Sequence, residues 1–341
     1  MPLMNGLIAP GFEAVGEAFA ADPRGGSALT ILRDGEPVVE VVEGWRDAAR
    51  TRPWETNTLV NVYSTGKPVI AMAVVILAGR GALDLDAPMS AYWPSFRTPA
   101  SVRQVLSHTS GLATFPVARP ASAFADWDLL CADLAAAEPA WEPGTVAAEH
   151  ALTYGHLLGE LVRRVDGRTP AKFIADELGF DFGFALSDAD VARCADLEFD
   201  APDWPARNAG EPGSMKSRAI SNPAGARDLA VVNSEMWRRA SVPAVNLHAS
   251  ASGVARFYAA ILDGSLPAVA VPQFVGPDLF IGDETTWGLG VQIEPDGTWG
   301  HGGLGGSAGY VNPARGLAIA YVSKRLGDFA ALDRIEAALP R

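Results

Sequence analysis

Lysine is scarce in this 341-residue chain: Lys67, Lys172, Lys216 and Lys324 stand against 23 arginines. Where arginine is the default cation, a lysine at a chosen place points to a property arginine lacks, the ability to give up its proton inside a protein. Cysteine is scarcer still. Cys131 and Cys194 lie far apart with no metal-ligand spacing, which predicts two buried free thiols and fits a cytoplasmic protein. Positive charge is in deficit, 27 Lys and Arg against 40 Asp and Glu, for a net charge of −13. That balance excludes nucleic acid and anionic membrane surfaces as partners, because nothing would neutralise their phosphates. Long hydrophobic runs are missing too. The longest, near Val69–Ala78, is too short to span a bilayer, and "MPLMNGLIAPGFEAV" offers no basic region ahead of an apolar one, so no secretory signal is expected. The five histidines form no pair with metal spacing; neither a metal nor a cofactor is expected.

What is present is an ordinary globular composition, 48% apolar and 20% charged. Phe12–Ala21 reads as a short amphipathic helix closed by "DPRGG". Ala28–Arg33 and Pro37–Glu43 read as a β-hairpin turned at Asp34-Gly35. Thr65–Gly79 reads as an apolar helix with Pro68 in its first turn. Helices are also predicted at Ser101–Ser107, Ala123–Glu138, Thr153–Val165, Pro170–Glu177, Ser252–Leu262 and Asp328–Leu339. Strand patterns return in "TWGLGVQIEP", "GTWGHGG", "SAGYVNP" and "GLAIAYVSKR". Strands at both ends and helices between them predict an α+β fold. Residues 1–85 and 246–341 would build one discontinuous sheet domain, residues 86–245 a mainly helical one, with the active site between them.

Ser64 and Lys67 stand three apart at the start of the apolar helix, so they share a face. A buried lysine with a lowered pKa can take the proton that makes a serine hydroxyl nucleophilic. Alone, the pair also fits a serine N-cap beside a surface lysine, so the surrounding segments decide. "GRGALDLDAPMSAYWP", "VRQVLSHTSGL", "WEPGTVAAEHALTYGHLLGELVRRVDGR" and "WGHGGLGGSAGYVNP" follow in order and spacing from about Asn57 to Val322.

With S-x-x-K at their head, these segments resemble the serine β-lactamase and penicillin-binding-protein superfamily, most nearly its family VIII carboxylesterases. The resemblance implies a β-lactamase-like fold, an acyl-enzyme on Ser64 and Lys67 as base. His301-Gly302-Gly303 takes the place of the K-T-G of β-lactamases. The oxyanion would lie between the backbone N–H groups of Ser64 and Leu304. Short-chain esters would be the substrates, and β-lactams poor ones for want of the K-T-G lysine.

One position departs from the resemblance. After Pro143-Gly144-Thr145 and three further residues the family's catalytic tyrosine is expected, and Glu149 stands there. Tyr154 matches the structural tyrosine of the following helix instead. Glu149 reads as a general base, as a counter-ion holding Lys67 protonated, or as a solvated loop residue at a crippled site. A penicillin-binding or D-amino-acid peptidase homologue and a non-catalytic binding protein of the same fold are the rival readings. Gly305-Gly306-Ser307-Ala308-Gly309 matches a nucleophile elbow, but no histidine follows His301, so Ser307 reads as a turn residue. His108 reads as structural. His150, His156 and His248 read as packed residues that could approach the pocket.

Overall fold

The computed structural model describes residues 4–21 and 25–340. The central layer is a nine-stranded antiparallel sheet. Its order is Asn5–Ile8, Glu36–Gly44, Gly26–Arg33, Leu317–Ser323, Ala308–Asn312, Trp299–Gly302, Gln292–Ile293, Glu284–Trp287 and Phe274–Pro277. Both ends of the chain therefore meet at the sheet's middle, where Leu317–Ser323 pairs with Gly26–Arg33. The hairpin turns at Asp34 and Gly35, both at positive φ (50° and 83°), the backbone that the Asp-Gly pair favours.

Alternation along the strands sorts the two faces. Leu29, Ile31, Val39 and Val41 point to the face covered by the terminal helices Glu13–Ala20 and Ala330–Ala337. Ala28, Leu32, Ala318, Ala320 and Val322 point to the face covered by Ala251–Leu262 and the main core. The Lys67–Gly79 helix is apolar all round and is buried from Lys67 to Leu77, as such a helix must be. Each of its large aliphatic side chains contributes about 1.5–3 kcal/mol by leaving water.

Between Met89 and Arg239 the chain runs in helices and loops, with only two-residue strands at Phe182–Gly183 and Glu198–Phe199. The predicted Ala123–Glu138 helix is divided: a 3-10 turn covers Ala121–Ala125, then Asp126 caps a new helix, Trp127–Ala135, by accepting the Leu129 N–H. Ser101 makes a full capping box with Gln104 ahead of Val102–Leu106. The helix expected from Ser252 starts at Ala251 under a Ser250 cap. Asn5–Ile8 and Phe274–Pro277, the two edge strands, lay outside the predicted elements. The "DPRGG" closure falls partly on residues 22–24, outside the described residues. Cys131 and Cys194 are buried and free. Among the described residues no helix is long and apolar enough to cross a membrane, and no His, Cys, Asp and Glu cluster suits a metal.

Candidate active site

Ser64 sits in a 3-10 turn, Tyr63–Gly66, that runs directly into the α-helix at Lys67. Tyr63, just before the serine, is held at φ +49°, a left-handed conformation that a bulky residue rarely adopts. Its N–H donates to Asn61 Oδ1 at 3.2 Å, and its buried hydroxyl donates to the Ala226 carbonyl at 3.1 Å. The two residues inside the motif fasten the turn. Thr65 Oγ1 donates to the Ser307 carbonyl at 3.1 Å, and Gly66 lies where a Cβ would collide with Leu247.

Lys67 is fully buried. Its Nζ lies 2.6 Å from Ser64 Oγ, 2.8 Å from Glu149 Oε1 and 3.3 Å from the Ala244 carbonyl. The protonated amine has three N–H bonds for these three acceptors. The neutral amine gives two to Glu149 and Ala244 and turns its lone pair to the Ser64 hydroxyl. Burial pushes the Lys67 pKa down, and Glu149 opposes that only in part. For Glu149 burial pushes upward, but Lys67, His301 and hydrogen bonds from Lys67 and Ser64 overcome it and leave the carboxyl below its usual range.

Glu149 is 7% exposed, so the solvated-loop reading does not hold. A buried aspartate explains its placement. Asp278 Oδ1 accepts the Glu149 N–H at 3.2 Å and those of Phe280 and Ile281 at 2.8 and 3.0 Å, while Oδ2 accepts Trp287 Nε1 at 2.9 Å. The Leu279 N–H donates to the Ala147 carbonyl at 2.9 Å, so a short turn after the Phe274–Pro277 edge strand clips the glutamate segment in place. Asp278, Tyr63 and the Ala244 carbonyl carry no local sequence signal for these duties.

His301 ends the Trp299–Gly302 strand region, buried behind its neighbours. Nδ1 lies 2.7 Å from the Gly302 carbonyl and so carries the proton, leaving the lone pair on Nε2. Burial pulls its pKa down to about 4, with Glu149 opposing and Lys67 adding, so the ring is neutral near pH 7. Gly302, Gly303 and Leu304, together with Ser64 and Glu149, wall a cavity of about 300 Å³; His301 is not on that wall. Gly303 passes so close to the serine turn that a Cβ would overlap the Val62 carbonyl oxygen.

The remaining candidates are structural. Ser307 is buried, and its Oγ accepts the Ser323 N–H at 3.2 Å. His108 is fully buried and packs against Tyr154 and Trp287 at ring separations of 4.4 and 4.3 Å. Tyr154 donates to the Leu106 carbonyl at 3.0 Å. His150 lies between Ser110 Oγ and the Ala148 carbonyl, and His156 packs on Trp127. His248 pairs across Asn61 in a two-residue strand. None of these histidines reaches the cavity wall.

A hydroxyl on a buried lysine–carboxylate pair, lining a cavity beside the end of the Trp299–Gly302 strand, is a set of groups suited to activating that hydroxyl. The β-lactamase family profile matches residues 13–340, and the chain belongs to that family. An esterase/β-lactamase of Mycobacterium tuberculosis, LipL, is 32% identical over 94% of this chain and 83% of its own length. Among solved structures, a family VIII carboxylesterase superposes with a TM-score of 0.87 at 29% identity, covering 98% of this chain and 99% of the other. A penicillin-binding-protein homologue from Caulobacter crescentus gives 0.84 at 31% identity, covering 99% and 100%. The fold is β-lactamase-like, and the relatives are esterases and hydrolases of that superfamily.

Proposed function

We propose that this chain is a serine hydrolase that cleaves short-chain carboxylic esters through an acyl-enzyme on Ser64, with little action on β-lactams. The observation that carries the reading is the 2.6 Å contact between Ser64 Oγ and the buried Lys67 Nζ at the open cavity. Lys67 and Glu149 together hold one proton fewer than they can bind. With that proton on Lys67 the pair is ionic; moved to Glu149, it leaves a lone pair aimed at Ser64. Either way the pair can accept the serine proton as Oγ attacks the ester carbonyl, and Glu149 serves as its reversible store. The pair then carries a positive charge beside the developing oxyanion, which the N–H groups of Ser64 and Leu304 receive. Collapse expels the alcohol with the borrowed proton. Water repeats the sequence to release the acid. A cavity of about 300 Å³ lies at the small end of ligand sites and supports a short acyl group. A neutral His301 at the third-motif position supports poor capture of a β-lactam carboxylate there.

The test is hydrolysis of 4-nitrophenyl butyrate by the wild type, Ser64→Ala and Glu149→Tyr. Ser64→Ala is expected to lose at least about 1,000-fold in kcat. Indifference to that change would sink the mechanism. Glu149→Tyr is expected to lower the rate; a large rise would mean the glutamate had crippled an esterase.

A further inference from the structure

We infer that the cavity beside Ser64 contains a carboxylate-binding subsite built on Arg227, and that its preferred esters are anionic, carrying a free carboxylate besides the ester bond. The inference rests on the esterase reading and narrows its substrate class. Arg227 lines the same cavity as Ser64. It is tied to the nucleophile through Tyr63, whose hydroxyl holds the carbonyl of the adjoining Ala226. One tyrosine side chain thus sets the distance from the serine turn to the Arg227 segment.

Among the described residues the arginine has no carboxylate within salt-bridge distance. Arg119, Arg163, Arg168, Arg193 and Arg239 each sit within 3.3 Å of an Asp or Glu oxygen. The single hydrogen bond of Arg227 runs from Nη1 to the Pro205 carbonyl at 2.8 Å, and its buried Nε has no partner among the described residues. A guanidinium drawn out of water without a counter-charge is costly, and a planar carboxylate is the ligand its fork fits. Burial accordingly pushes its pKa down.

The other charges on the wall agree. Lys216 is the one lysine of the four with no acidic partner among the described residues. Glu149 is matched by Lys67, and Asp328 accepts the Ala330 N–H at 3.2 Å. Arg227 and Lys216 thus face one further carboxylate on the wall, Asp328, and the balance stays positive. Leu152, Ile220 and Phe280 supply the apolar stretch that a short methylene spacer would cross.

Whether the carboxylate rides on the acyl or the alcohol side is decided by substrate. Mono-4-nitrophenyl esters of succinic, glutaric and adipic acids are compared with 4-nitrophenyl butyrate, and 3-acetoxybenzoate with phenyl acetate, each corrected for uncatalysed hydrolysis. At least one anionic ester is expected to exceed its neutral counterpart in kcat/KM by about tenfold or more. Arg227→Gln should lower that anionic-to-neutral ratio by about 10- to 100-fold, and Arg227→Lys should restore part of it. A role in packing alone would leave the ratio unmoved. A ratio unchanged by Arg227→Gln, or no preference for the anion in either series, overturns the subsite while leaving the esterase intact. Glutarate and benzoate binding to Ser64→Ala, followed by calorimetry, is the second measurement. Loss of that binding in Ser64→Ala/Arg227→Gln supports the subsite, and no binding of either anion counts against it. If no ester is cleaved at all, the esterase reading falls and this binding result still decides the subsite.

Discussion

Two of the four lysines are buried, and both hold a glutamate at 2.8 Å: Lys67 with Glu149, and Lys324 with Glu198. Their surroundings part them. Lys324 lies just past the central strand Leu317–Ser323, donates also to the Asp47 carbonyl at 3.2 Å, and receives the Glu198 N–H on its own carbonyl at 2.9 Å. It clamps Glu198–Phe199 to Arg325–Leu326 along a short parallel pairing. Glu198 keeps about a third of its side chain in water, and among the described residues the amine's hydrogen-bond partners are Glu198 and the Asp47 carbonyl, not a hydroxyl. At Lys67 the glutamate is nearly dry, a serine hydroxyl is the nearest acceptor, and a cavity opens beside it. A buried amine–carboxylate pair is therefore a strut by default. The proposed role of Lys67 as a proton acceptor rests on what it has besides, a hydroxyl within its reach and room for a substrate.

Changing both lysines to methionine breaks the comparison most sharply. Lys67→Met is expected to lose ester hydrolysis by about 1,000-fold or more, as removal of a unit of a catalytic set does. Lys324→Met should keep its rate within a few-fold and lose about 1–2 kcal/mol of stability in urea, since Glu198 can rehydrate. Comparable rate losses in the two folded variants would erase the distinction.

A second contrast lies in the pH profile. On the proposed mechanism the wild type is expected to stop when the pair takes its second proton, which the lowered Glu149 pKa places below the ordinary glutamate value of about 4.3. In Glu149→Gln the lysine alone must be neutral, and its pKa cannot lie below that of the doubly protonated pair. The acid limb of kcat therefore moves to higher pH. A limb that stays in place removes Glu149 from the proton inventory.

The smallest effect concerns stability. Burial holds His150, His156 and His301 near pKa 4 and His248 near 3, whereas in the unfolded chain they titrate near 6.5. Unfolding thus takes up protons between those values. Stability is full above about pH 6.5 and falls as the pH drops toward 4. Melting temperatures between pH 7.5 and 4.5 check this; a flat profile contradicts it.

What could be read from the sequence is what local spacing carries. Ser64 and Lys67 are one turn apart, and their contact follows from helical geometry. The hairpin turn at Asp34-Gly35 and the capping of Val102–Leu106 by Ser101 are likewise short-range. The division of Ala123–Glu138 was signalled by Asp126, a good N-cap inside an otherwise helical run. Glu149 stood out by position, but its placement depends on Asp278, 129 residues further on, and Lys67 is held by the Ala244 carbonyl, whose role no side chain announces. Arg227 reaches the cavity from a turn and Lys216 from the short Met215–Ser221 helix, neither of which the sequence patterns picked out. Long-range closure, rather than local preference, was the part sequence patterns do not encode.

Gly303 gives that closure a timetable. The serine and lysine are synthesised first, and the glycine backbone that packs on their turn arrives 236 residues after Lys67, at Gly303. At ribosomal rates of about 5–20 residues per second, roughly 10–50 s pass between the two. Throughout that interval the nascent chain holds its serine and lysine without the glycine wall.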